Sequence, residues 1–349
     1  MRRSERLAQA VHRHFLWLLV GCYALAAVWP APGLVLRRWQ WSPAGVEELL
    51  VSFPLILLAL ILFSAALLTD VSQIRIVLRH PLVLCIALLA VWLAPALLVV
   101  AAGFVVPWAL DGEATTGLLV GLALVATMPV ANSSVGWTQN AEGNLALALA
   151  LVVLSISLSP FVTPQLLSVL GMSLSPQEQA YCEALVSRFS GVFFIIWVIL
   201  PTAGGFACRY LLTAERLSRV TPGFLLASGG ALLALNYINS ALALPEIRDS
   251  SPVVLAVTAA LAALLSVVGL LFAGAIAQLM RLSPGARSAL LFGLSMKHTG
   301  LALIVAGAVL ANQPLAILMI VLATLLQHLL AALVQWWLRR VPAAVAETS

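Results

Sequence analysis

Apolar residues follow one another for roughly the 20 positions a helix needs to cross a bilayer, then a short polar gap intervenes, and the pattern recurs along nearly the whole chain. Hydropathy windows divide it into ten predicted spans: 14–36, 46–68, 81–105, 115–138, 143–170, 187–212, 222–244, 252–280, 286–311 and 314–338. The start, Met1-Arg-Arg-Ser-Glu-Arg6 before an apolar run, resembles a signal peptide but is read as the flank of a retained first span.

Composition turns this pattern into a solvent. Hydrophobic residues make up 62% of the chain, charged ones 9%, and mean hydropathy is +1.08. A soluble domain carries about 25% charged residues. The expected class is therefore an all-α polytopic membrane protein, with the lipid bilayer as its surroundings. The net charge of +5 does not point to nucleic acid, because the arginines flank spans on one side. With the N-terminus inside, Arg2, Arg3, Arg6, Arg13, Arg75, Arg79, Arg209, Arg216, Arg219, Arg281, Arg287, Arg339 and Arg340 face the cytoplasm, and only Arg37, Arg38, Arg188 and Arg248 face outward. This bias predicts cytoplasmic termini in the plasma (inner) membrane. Trp29, Trp39, Trp41 and Trp108 at the outer boundary, and Trp336 and Trp337 at the inner one, read as interface anchors. Cys22, Cys85, Cys182 and Cys208 have no metal-ligand spacing and read as small apolar residues, so no metal site is expected.

A weak repeat divides the spans. Pro81-Leu-Val-Leu matches Pro252-Val-Val-Leu, Leu118-Leu-Val-Gly-Leu matches Leu290-Leu-Phe-Gly-Leu, and Leu145-Ala-Leu-Ala-Leu matches Leu315-Ala-Ile-Leu-Met, all near an offset of 170 to 172 residues. Two halves of five spans each must enter the membrane from opposite sides, an inverted five-helix repeat.

The chemistry lies where the pattern breaks. The chain's one lysine, Lys297, stands inside the ninth predicted span with mostly apolar residues on both sides. An ammonium at bilayer depth costs about 2.5–3.5 kcal/mol on insertion scales, and usually marks a substrate, ion or proton path. His298, whose ordinary titration range lies near neutral pH, and Thr299 follow it. In the fourth span, Pro129 and Gly136 stand among Asn132, Ser133, Ser134, Thr138, Gln139 and Asn140. Proline removes a helix donor and clashes with the preceding turn, so spans 4 and 9 are both expected to be broken near mid-membrane, with this polar cluster opposite the lysine. Asn236 and Asn239 in the seventh span either line the same cavity or bond between helices; Gln327 and His328 read as packing, and Pro95, Pro160, Pro164 and Pro201 as kinks without chemistry. The acids lie in loops or at span ends, with only Glu142 near enough to approach. Three partners for the ammonium stay open: backbone carbonyls of the breaks, a substrate anion, or loss of its proton while the site is empty.

The segments Ser64–Asp70, Val77–Pro81, Met128–Ser134, Glu142–Leu147, Leu158–Pro160, Thr163–Pro164 and Met296–Ala302 together resemble the bile acid:sodium symporter family, across about residues 14–338. The resemblance implies ten helices, with a panel subdomain of 14–68 and 187–244. It also implies a core subdomain of 81–170 and 252–338 in which helices 4 and 9 cross. It implies transport of an organic anion, typically with sodium. At positions matching the family's first sodium site stand Ser134, Val135, Ala148, Val152 and Gly293; at the second, Gly293, Lys297 and Ala90. Hard cations require several oxygen ligands, and valine, alanine and glycine side chains supply none. One glutamate with two sodium ions sums to the same charge as Lys297 alone. The expected function is a secondary transporter of a small organic anion by alternating access. It would use no cofactor and no sodium, with Lys297 in place of a metal ion and proton coupling open. The alternatives are a sodium symporter with relocated ligands and a ligand sensor that moves nothing. An enzyme is not expected, since no acid pair, metal cluster or Ser-His arrangement lies at bilayer depth.

Overall fold

The structure is a computed structural model that describes residues 14–41, 51–68, 81–110, 112–189, 195–245 and 250–340. The expectations for Arg2, Arg3, Arg6, Arg13, Arg75, Arg79 and Arg248, and for Glu47, Glu48, Asp70, Asp111, Glu246 and Asp249, lie outside the described residues, so the arginine asymmetry stays a sequence argument.

The described residues are helical nearly throughout. Their helices are α1 Phe15–Val28, α2 Ala31–Arg38, α3 Phe53–Leu68, α4 Pro81–Ala109, α5 Gly112–Thr127, α6 Ser133–Asn140, α7 Leu145–Met172, α8 Pro176–Phe189, α9 Leu200–Leu211, α10 Ala214–Ala243, α11 Pro252–Leu279, α12 Pro284–Ser295, α13 Thr299–Val309 and α14 Pro314–Arg340. A π-helical turn, Ile195–Ile199, leads into α9. Two short strands, β1 Gln40–Trp41 and β2 Val51–Ser52, pair antiparallel between α2 and α3. In lipid, backbone polar groups must be satisfied within the segment, and helices do this.

Among the described residues, α4, α7, α11, α14 and most of α10 are each long and apolar enough to cross a membrane alone. The pair α1 and α2 qualifies together but is bent by 92°. The chain is an integral membrane protein. The first span, expected as one rod over 14–36, is corrected by that bend. Pro30 and Pro32 lack the N–H groups that would carry the helix ladder across it, and α2 restarts with Pro32 in its first turn. α10 begins eight residues before the expected 222 because Thr213 caps it, accepting from the Arg216 N–H.

One helix was not expected at all. α8 lies between the fifth and sixth predicted spans and packs on α7. Its start, Ser175-Pro-Gln-Glu178, is a capping box with proline in the first position: Glu178 Oε2 accepts from the Ser175 N–H at 2.8 Å. Glu178 is 4% exposed, and its other oxygen accepts from Thr116 Oγ1 of α5.

The largest apolar cluster is centred on α5, α13 and α14, and a second joins α4, α7 and α12. Where α5 gives way to α6 and α12 to α13, Met128 belongs to the first cluster, Val130 to the second, and Ala131 and Met296 to a small third with Phe292 and Ala331. Both helix pairs are interrupted at buried positions, as Pro129 and the Lys297 segment led one to expect.

A candidate ion and substrate site at two broken helices

The two breaks are joined by backbone. The His298 N–H donates to Pro129 O at 2.9 Å and the Ala131 N–H to Met296 O at 3.0 Å, which sets Val130 and Lys297 opposite each other in a one-pair antiparallel bridge. Buried peptide groups need partners, and those left over here find side chains. The Val130 N–H donates to Ser155 Oγ at 3.0 Å, and the Lys297 N–H to Gln327 Oε1 at 2.9 Å. Thr127 O accepts from both Trp92 Nε1 and Thr163 Oγ1. Gln327, read from sequence as packing, is thus a positioning residue for the lysine backbone. It also reaches Thr299 Oγ1 at 3.5 Å.

The Lys297 side chain is 2% exposed. Its ammonium donates to Met128 O at 3.1 Å and, in a short contact, to Val91 O. Of the partners left open by the sequence, backbone carbonyls hold it; Glu142 is exposed, in a turn with φ of 53°. Each acceptor has a cause. Met128 lies just past the end of α5, where helix carbonyls lose their donors. Val91 lies inside α4, where its donor would be the N–H of residue 95, and residue 95 is proline. Pro95 was expected only to kink its helix; here it leaves a carbonyl that receives the ammonium. The signal was in the sequence, as a proline in the span that supplies the wall, but nothing there said which helix the lysine faces.

Electrostatics favour a cation at this point. α5 ends at Thr127 and α12 at Ser295, so two half-helix C-termini, each with partial negative charge, converge on Lys297. A cation at one such end is stabilised by about 0.3–1 kcal/mol, up to ~2 where partly buried.

The remaining predicted residues separate into three groups. His298 and Thr299 sit at the crossing, with His298 Nδ1 accepting from the Leu301 N–H at 3.2 Å to cap α13. Asn132 and Ser133 sit there too, with Ser134 fully buried beside them. Both amide atoms of Asn132 and the hydroxyl of Ser134 are buried without a hydrogen-bond partner. Thr138 is spent on its own helix, donating to Ser134 O, and Gln139 is exposed at the end of α6. Asn236 and Asn239 bond between helices: Asn236 accepts from Tyr23 Oη at 3.0 Å and Asn239 from Arg37 Nη1 at 3.1 Å.

Asn132 borders a narrow crevice of about 20 Å3, room for about one water molecule, lined by Leu62 and Ala66 of α3, Val152 and Ile156 of α7, and Thr202 and Phe206 of α9. At Gly293 of α12 a Cβ would lie 2.9 Å from Leu151 Cδ1, the end of a side chain that would have to turn aside.

The profile of the sodium bile acid symporter family matches residues 55–250, more than half of the chain. The chain belongs to that family. The match covers α3 through α10 and includes the α5–α6 break, Val91, Pro95 and Asn132. YbaS of Bacillus subtilis (strain 168), an uncharacterized protein, is 27% identical over 287 residues, which are 81% of this chain and 87% of that one. Members of the sodium bile acid symporter family are transporters, and membership makes the chain a membrane transporter of that type.

Proposed function

We propose that the protein moves a small organic anion across the membrane by alternating access, and that Lys297 takes the place of the sodium that the family's name implies. The observation that carries this reading is the bond of the Lys297 ammonium to Met128 O and Val91 O at the meeting of the two breaks. Half-helix C-termini and unwound carbonyls are the groups with which transporters of this kind hold a coupling cation. Here a side chain of the protein fills that role.

The neighbouring donor set supports it. Val135, Ala148, Val152 and Gly293 offer no side-chain oxygen. The crevice beside Asn132 is closed in this state to about the size of one water; the substrate would enter it as the panel and core part, the amide donating to a carboxylate while the apolar walls receive the hydrocarbon part. Spans 4 and 9 would be the α5–α6 and α12–α13 pairs of an inverted repeat. The panel of 14–68 and 187–244 would then rock against the core of 81–170 and 252–338.

One observation favours a second reading. Asn132 Oδ1 and Ser134 Oγ are buried oxygens without donors, so a sodium ion could be bound at relocated ligands. Flux into proteoliposomes separates the two. Under the first reading, uptake of labelled carboxylates proceeds without sodium. Uptake that rises steeply with a sodium gradient and ignores pH would overturn it.

A further inference from the structure

Arg37 was counted from sequence as an outward-facing loop arginine. The structure puts it in the last turn of α2, half-buried, with its guanidinium shared between two other helices. Nη1 donates to Asn239 Oδ1 of α10 at 3.1 Å, and Nη2 to Gly307 O of α13 at 2.8 Å.

Each acceptor suits a cation. Gly307 lies in the last turn of α13, where carbonyls have no donor within the helix and carry the negative end of its dipole. The absent side chain matters: a Cβ on Gly307 would lie 3.2 Å from both Nη1 and Nη2, closer than ordinary contact. A second bond of the same type is close along α10. Tyr23 Oη of α1 lies 3.0 Å from Asn236 Oδ1 and 3.3 Å from Val321 O of α14. Tyr23 and Arg37, each bonded to an asparagine of α10 one turn from the other, thus tie α1, α2 and α10 to α14 and α13 respectively.

The joint and the crevice lie at opposite ends of the panel. β1 and β2 place the start of α3 beside the end of α2. The crevice residues Leu62, Ala65 and Ala66 lie nine to thirteen residues farther along α3, roughly 14–20 Å at 1.5 Å per residue.

We propose that Arg37 is a latch. Asn239 fixes the guanidinium within the panel, and the bond to Gly307 O holds the panel helices α2 and α10 against the core helix α13 on one side of the membrane; that bond must break before the Asn132 crevice can open to that side. The inference rests on the transporter reading above for its purpose, not for its geometry. Arginine keeps its charge throughout, so the latch is released by water reaching the guanidinium rather than by loss of a proton.

Distances between spin labels test this without any substrate. Labels are placed at Arg38→Cys and Ala311→Cys after Cys22, Cys85, Cys182 and Cys208 are changed to alanine, and the protein is held in nanodiscs. With Arg37 intact, one short distance dominates. Arg37→Ala adds a second, longer component, and so does Gly307→Ala, which crowds the guanidinium without removing its charge. Two variants that both keep the parent distribution would overturn the proposal. A longer component in a protein that moves no anion would leave the latch standing and remove the transporter reading; anion flux with unchanged distances in both variants would do the reverse.

Discussion

Pro95 and Lys297 meet at one carbonyl: the proline denies Val91 O its helical donor, and the lysine ammonium supplies another. A change at residue 95 should therefore be felt at residue 297. Pro95→Ala restores an N–H that competes for Val91 O and leaves the ammonium with Met128 O. A hydrogen bond to a charged group contributes about 1.5–3 kcal/mol. The expected result is roughly a tenfold or greater fall in anion flux, with helix content by circular dichroism unchanged.

Lys297→Met has the opposite character, because it strands acceptors. Val91 O and Met128 O would then be buried without donors, at about 1–3 kcal/mol each. Melting in detergent should show a clearly lower midpoint, and flux should be lost. Lys297→Gln, which keeps an N–H donor on a side chain one bond shorter, should recover part of the stability and none of the flux.

Gln327 supports the break through one bond to the Lys297 backbone N–H. Gln327→Leu should destabilise by about 1–3 kcal/mol through that buried orphan. Gln327→Glu, which keeps the accepting oxygen, should melt nearer to the parent.

Asn132 should separate stability from function. Its amide atoms have no hydrogen-bond partner among the described residues, so Asn132→Leu removes no hydrogen bond seen there and relieves a buried polar group. The variant should melt at or above the parent midpoint, yet lose the shift in melting that binding carboxylates produce. A large drop in midpoint would show that the amide has a structural partner.

What the sequence disclosed follows from which signals are local. The breaks were legible because Pro129 acts on its own helix and because a lysine in an apolar run is conspicuous by composition. The capping box before α8 was equally local, and attention to Ser175 and Glu178 would have found that helix. The bend at Pro30 and Pro32 was likewise written in two adjacent prolines. The roles of Pro95, Gln327 and Arg37 were not legible. Each depends on which helix lies opposite, and a Leu-rich span gives no sign of its neighbour. The same holds for Asn236 and Asn239, whose polarity fitted a cavity wall or a helix contact equally well until Tyr23 and Arg37 were placed beside them.

The central claim is that the ammonium of Lys297 is the resident cation of the crossing. It is tested most directly by uptake of labelled carboxylates, a bile acid among them, into sodium-free proteoliposomes carrying either the wild type or Lys297→Ala, with and without added methylammonium. The account predicts uptake by the wild type, none by the variant, and partial recovery when methylammonium occupies the vacated carbonyls. Wild-type uptake that needs sodium, or a variant that transports as well as the wild type without any added cation, would contradict it.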